Sequence, residues 1–133
     1  MNPVKVRNVE IGTGLPKICV PIVGVTKEAI LDAARIIKTT AADVVEWRVD
    51  WYEDIFDFEK TAETMKALRD VLGDTPILFT FRTSKEGGEK AIDTDAYVEL
   101  NQKAAKTGLI DLVDIEAFTG DDAVKAVVDT AHE

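Results

Sequence analysis

The spacing of apolar residues along this chain changes several times, and each change marks an element. Over residues 44–50 it alternates: Val45, Trp47 and Val49 take one face, and Glu46, Arg48 and Asp50 take the other. A period of two built from β-branched and aromatic residues predicts a strand. Residues 17–23 and 76–82 are apolar runs of strand length, and 109–116 supplies a fourth. Between these runs the spacing widens to a helical period. Ala29, Ile30, Ala33, Ile36 and Ile37 predict a helix over 28–38. Ala62, Met65, Leu68 and Leu72 predict one running from near 57 to 72, and a third covers 94–106. Thr26 and Asp57 sit where a side-chain oxygen can cap a free first-turn amide, and Gly73 and Gly108 are natural stops. A fourth helix opens at 119–122 and is expected to be cut short at Glu133. At the other end, 4–11 alternates and predicts a short strand or half of a hairpin, followed by a Gly- and Pro-rich turn over 12–16.

The predicted order is therefore β-α-β-α-β-α-β-α behind a short N-terminal strand. Strand starts fall near residues 17, 44, 76 and 110, about thirty residues apart, the size of one βα step. Such an order builds an open doubly wound sheet or part of a (β/α)8 barrel. No G-x-G-x-x-G follows the first strand, which counts against the dinucleotide-binding form. A strand in a helix-covered parallel sheet is normally buried on both faces. Three ionisable side chains on one such face are costly unless they pair or meet a ligand. Charges facing inward from consecutive strands favour the barrel. Residues 1–133 read as one unit without an internal boundary. A barrel takes ~250 residues, so four βα units are about half of one. Its open edges would be aggregation hazards, so the chain is expected to be a fragment or to pair with a second half.

Composition narrows the setting. The net charge is −9 and the Lys and Arg residues are scattered, which argues against a nucleic-acid partner. No stretch approaches the ~18 apolar residues of a membrane span. The polar first ten residues lack the apolar core of a signal peptide. The single cysteine, Cys19, excludes a disulfide framework within the chain and fits a reducing compartment. The expected location is cytoplasmic, with Cys19 as a small buried hydrophobe.

Phasing the later strands gives the candidate chemistry. Leu78, Thr80 and Arg82 share a face, as do Leu112, Asp114 and Glu116. The inward set is then Glu46, Arg48, Asp50, Thr80, Arg82, Asp114 and Glu116, with Glu86 in the loop above. Barrel sites lie at the C-terminal strand ends. Arginines with carboxylates suit a small, oxygen-rich ligand bearing hydroxyl or carboxylate groups. The competing reading is an ion-pair network that only fixes the barrel, whose desolvation cost argues against so many members. No histidine stands beside the carboxylates and two arginines do, so no metal is expected. Gly87-Gly88 reads as a turn rather than an anion cradle, and His132 reads as a surface residue. No lysine takes an inward strand position; Lys85 comes nearest.

Three motifs in order carry a resemblance. Glu46-Trp47-Arg48-Val49-Asp50 comes first. Leu78-Phe79-Thr80-Phe81-Arg82 follows, with Glu86-Gly87-Gly88-Glu89 behind it. Asp114-Ile115-Glu116 with Phe118-Thr119-Gly120-Asp121 comes last. In order and spacing the whole chain closely resembles the N-terminal half of type I 3-dehydroquinate dehydratase. The resemblance implies a (β/α)8 barrel and the dehydration of 3-dehydroquinate to 3-dehydroshikimate in the shikimate pathway of aromatic amino-acid biosynthesis. It implies a Schiff-base lysine, a general acid/base histidine, no cofactor or metal, and a homodimer. Glu46, Trp47, Arg48 and Arg82 resemble substrate-binding positions. Glu86 resembles the acid that orients the catalytic histidine. Pro21 stands where some members carry a substrate-binding serine, and its side chain cannot hydrogen-bond. The family's histidine and lysine are expected beyond Glu133, so these residues alone are expected to be inactive. The alternatives are a non-catalytic half-barrel that binds a polyol or assembles with itself, and an unrelated barrel aldolase or isomerase.

Overall fold

The computed structural model describes residues 2–133 and follows the predicted alternation of strand and helix. Val4–Val6 (β1) and Val9–Ile11 (β2) pair antiparallel, so residues 4–11 form a complete hairpin. Four βα units come next. They are Cys19–Ile22 (β3) with Lys27–Lys38 (α1), Val44–Arg48 (β4) with Phe58–Leu72 (α2), Ile77–Thr80 (β5) with Thr94–Lys106 (α3), and Leu112–Val113 (β6) with Asp121–Ala131 (α4). Local chemistry sets the helix starts. Thr26, Asp57 and Asp93 each accept a first-turn amide, from Ala29, Lys60 and Ala96 at 3.1, 3.3 and 2.8 Å. Gly73 takes φ +59° and ends α2, a conformation that suits a residue without Cβ.

The strands pair in parallel in the order β3-β4-β5-β6, which never reverses. A doubly wound sheet reverses at its switch point, so that alternative is excluded, and the order is the one that consecutive units of a (β/α)8 barrel take. The register aligns Pro21, Glu46, Leu78 and Leu112, and it aligns Arg48 with Thr80. Aligned residues share a face. Val45, Trp47, Ile77 and Phe79 are wholly buried and pack with Ile30, Met65, Leu68 and Leu72 of the helices. Helix α1 lies beside α2, and α3 beside α4. The opposite face carries Cys19, Pro21, Glu46, Arg48, Leu78 and Thr80, and it forms the inside of the half-barrel.

Two expectations need correction, one for Cys19 and one for the lengths of two strands. Cys19 is exposed, because β3 is an edge strand and Cys19 lies on its uncovered inner face. Pro21 is the third of four residues in β3, near the strand's end, where a residue without an amide donor is expected. The Val44 amide donates to Ile18 O at 3.1 Å, so the even-numbered residues of β3 face β4. The Pro21 nitrogen therefore faces the open edge, where the ladder requires no donor. The second and fourth strands are shorter than their patterns. β4 gives way to a 3₁₀ turn over Val49–Trp51, closed by the Tyr52 amide on Val49 O. β6 covers only Leu112–Val113, although the Asp111 and Asp114 amides extend its bonding to β5 on either side.

Asp111 fastens the N-terminal end of the sheet. It accepts from Arg69 Nη2, from Arg7 Nε at 2.6 Å and from the Ile77 amide at 2.9 Å. That knot joins the hairpin and α2 at the end away from the candidate site. Beside β6, the hairpin, α3 and α4 leave an open groove of about 550 Å³ lined by Val4, Val6, Leu112, Val127 and Val128.

Candidate functional site

At the C-terminal strand ends, charged side chains from β4, β5 and the segment after β6 meet. Glu46 faces inward from the middle of β4, and Thr80 Oγ1 donates to its Oε2 at 2.8 Å. Glu46 Oε1 has no partner among the described residues. Two residues on, Arg48 donates from Nε and Nη2 to the two oxygens of Asp50, at 2.9 and 2.8 Å. This fork uses one edge of the guanidinium and leaves Nη1 free. The hydrogen bond to Asp50 raises the Arg48 pKa above its already high value against the effect of burial, and the nearby Glu46 adds to this.

Arg82 lies just past the end of β5. Its Nη1 donates to Glu116 Oε2 and its Nη2 to Asp114 Oδ2, both at 3.0 Å, and its Nε stays free. Burial lowers the Arg82 pKa, but the two carboxylates outweigh it and the net shift is upward. Both oxygens of Glu116 are engaged. It also accepts from the Thr83 amide at 3.1 Å and from the Thr83 hydroxyl at 2.7 Å. Beneath it, the Tyr97 hydroxyl of α3 accepts from the Glu116 amide at 3.0 Å and donates to Asp114 O at 3.3 Å. Burial pushes that phenol up to about 12. The sequence reading missed Tyr97, which looks like one more apolar residue on the helix stripe. It also missed Thr83. Only the meeting of α3 with the segment after β6 gives either residue its role.

The loop over 83–90 folds back on itself. The Gly88 amide donates to Thr83 O at 2.8 Å, and the Ser84 amide to Lys90 O at 2.9 Å. Gly88 packs so closely that a Cβ there would lie 1.7 Å from Arg82 O. The Gly87-Gly88 pair is thus a turn, as the sequence suggests, close-packed at Gly88 and open at Gly87. Glu86 is exposed on this loop, without a side-chain partner among the described residues, at the rim of a cavity of about 140 Å³ that also touches Thr83, Tyr97, Glu116 and Phe118.

All seven inward candidates gather at this end, but not all face a ligand. Asp50 is wholly buried and committed to protein donors. Trp47, expected as a substrate contact, is also wholly buried. It lies on the helix side of β4, 5.9 Å edge-to-face from Phe79. The strand's alternation turns it away from Glu46 and Arg48, so it cannot meet a ligand on their face. Pro21 aligns with Glu46 on the inner face, but it presents only ring carbons. Glu46, Arg48, Arg82 and Glu86 remain reachable from the barrel interior or the mouth. Arg48 and Arg82 keep 22% and 28% of their side-chain surface exposed, enough to reach a ligand while paired.

The family model for type I 3-dehydroquinase matches residues 18–133. The chain belongs to the type I 3-dehydroquinase family. It is 52% identical over 130 residues to a 3-dehydroquinate dehydratase of Clostridium botulinum, covering 98% of this chain and 51% of the relative. It is also 52% identical to one of Listeria welshimeri, covering 100% and 53%. Among solved structures, the type I 3-dehydroquinate dehydratase of Clostridium difficile with covalently modified comenic acid superposes with a TM-score of 0.97. It is 45% identical, and the match covers 98% of this chain and 52% of that one. The 3-dehydroquinate dehydratase of Enterococcus faecalis gives a TM-score of 0.92 at 44% identity, covering 98% and 54%. The chain thus spans about half the length of the dehydroquinase relatives it matches. Its four βα units are the arrangement found in those type I dehydroquinase structures.

Proposed function

We propose that residues 1–133 are the substrate-gripping half of a 3-dehydroquinate dehydratase that converts 3-dehydroquinate to 3-dehydroshikimate. The observation that carries this reading is the set of unpartnered polar atoms on the inner face. Glu46 Oε1 is left to accept from a ligand hydroxyl, and Arg48 Nη1 and Arg82 Nε are left to donate to its oxygens. The chemistry falls to a lysine and a histidine expected beyond Glu133. The lysine amine adds to the substrate ketone and expels water, giving an iminium. The iminium acidifies the adjacent carbon so that histidine, with a pKa near neutrality, can remove its proton. The same group then returns a proton to the departing hydroxyl, which leaves as water, and a water molecule hydrolyses the iminium to release the product ketone and the free lysine. Glu86 orients that histidine from its loop. The complete enzyme is a cytoplasmic homodimer that needs no cofactor.

By itself the 133-residue chain is inactive in this reading. Ultraviolet absorbance of the conjugated product should stay at the blank with purified chain and rise with a chain extended to the relatives' length. Turnover by the short chain would overturn the proposal.

A second reading, a half-barrel that assembles with itself, is favoured by the open β6 edge and the apolar groove beside it. Sedimentation separates the two: a stable, folded homodimer supports self-assembly, and a monomer or soluble aggregate rejects it.

A further inference from the structure

Asp50 is wholly buried, yet four donors from three separate stretches converge on its carboxylate. Arg48 supplies the fork at 2.9 and 2.8 Å from the end of β4. The Arg82 amide donates at 3.2 Å from the end of β5. The Glu89 amide donates at 3.1 Å from the loop that bears Glu86. A carboxylate has about four acceptor positions, so none is left for a ligand. Lys90 completes the clasp, donating from Nζ to Asp50 O at 2.6 Å and to Tyr52 O at 3.0 Å. Burial alone would push the carboxyl pKa up. The Arg48 fork and the two amides reverse this and hold it below the ordinary range, so the anion persists inside the protein.

We infer that Asp50 is a positioning residue of the site: it never touches substrate, but it sets where the free edge of Arg48 points and where residues 82–90 hold Glu86. Its reach explains why the carboxylate sits on a 3₁₀ turn rather than in β4. The turn over Val49–Trp51 draws Asp50 under the mouth, where one group serves both strand ends and the loop. Without it, Arg48 loses its fork and the loop loses the anchor next to Gly88. The roles of Arg48 and Glu86 rest on the proposed dehydratase reading; the anchoring of the loop does not.

The test is Asp50→Asn in the full-length protein. An amide keeps one acceptor oxygen and turns an NH2 group toward the donors. Hydrogen exchange at the Arg82 and Glu89 amides should then accelerate at least roughly tenfold, an opening of one local unit. With 3-dehydroquinate, KM should rise and kcat fall, each by roughly tenfold, as expected when reacting groups are displaced by about an ångström. If Asp50→Asn does not fold, Asp50→Glu keeps the charge and shifts the carboxylate by one methylene. It should still raise KM several-fold. A folded variant with a lower Tm but unchanged KM and kcat would show a merely structural role and overturn the inference, as would unchanged exchange at both amides. If the unsubstituted full-length protein shows no turnover, the dehydratase reading fails, and the exchange measurement alone decides whether Asp50 anchors the loop.

Discussion

Thr80 donates its hydroxyl to Glu46 Oε2 at 2.8 Å, across the pairing of β4 with β5. The bond steadies an inward carboxylate that has no other partner among the described residues, and it leaves the second oxygen unbonded. Thr80→Val retains the shape and removes the donor. It should cost about 1 kcal/mol in urea denaturation, the usual net worth of one hydrogen bond. In the full-length protein it should raise KM for 3-dehydroquinate by roughly three- to tenfold, about 1 kcal/mol of binding. An unchanged KM would mean that Glu46 needs no second residue to hold it.

Gly87 and Gly88 are neighbours with different reasons to be glycine. Gly87 has φ +87° with nothing near an added Cβ, so Gly87→Ala carries only the left-handed strain, about 1 kcal/mol. Gly88→Ala would drive a methyl to 1.7 Å from Arg82 O, and the loop must move away. Chemical denaturation should show Gly88→Ala costing at least about 2 kcal/mol, in the range of overpacked sites. It should also impair turnover of the full-length protein, because the same loop carries Glu86. Equal losses for the two variants would contradict the geometry.

Tyr97 gives the fold an alkaline limit. Its phenol titrates near 12 in the folded chain, pushed up chiefly by burial, against ~10 when unfolded. A folded pKa above the unfolded one contributes stability that is fully present below pH ~10 and is lost as pH rises through about 12. Over that window the unfolded state releases a proton that the folded state keeps, so the unfolding free energy should fall with pH. Tyr97→Phe lacks this component. Urea denaturation of both proteins between pH 8 and pH 11.5 should show a shallower decline for the variant, and parallel declines would refute the assignment.

Cys19 lies on the open inner face, yet its thiol is harder to ionise than a free one. Partial burial raises its pKa first, and the nearby Glu46 carboxylate adds to this. Because the thiolate is the reactive form, a disulfide reagent at neutral pH should modify the 133-residue chain more slowly than the same chain in urea. Glu46→Gln should accelerate the reaction in the folded chain. Equal rates folded and unfolded would remove the effect.

The helices were legible because their cues are local. Thr26 and Asp57 announce their caps through single side-chain oxygens, and Gly73 its stop through a backbone conformation that other residues resist. The two faces of β4 were legible too, since a period of two assigns every side chain once one face is known. That rule already separated Trp47 from Glu46 and Arg48, and burial then removed Trp47 from the site. The ends of strands were less legible. Residues 49–50 continue the alternation perfectly well, and the chain leaves the sheet there because Asp50 meets donors more than thirty residues away.

Sequence alone determined the βα order, the caps, the helix-facing and inward-facing sets, and the motifs of the family. Each of these depends on neighbours a few positions apart. Tertiary structure decided which charges are spent on one another. Glu116 goes to Thr83 and Arg82, Asp50 to Arg48 and the Arg82 and Glu89 amides, and the Tyr97 hydroxyl to the backbone beside them. It also decided which atoms remain free: Glu46 Oε1, Arg48 Nη1 and Arg82 Nε. A hydrogen bond depends on distance and direction in space, and no pattern along the chain specifies which distant donor will arrive at a given oxygen.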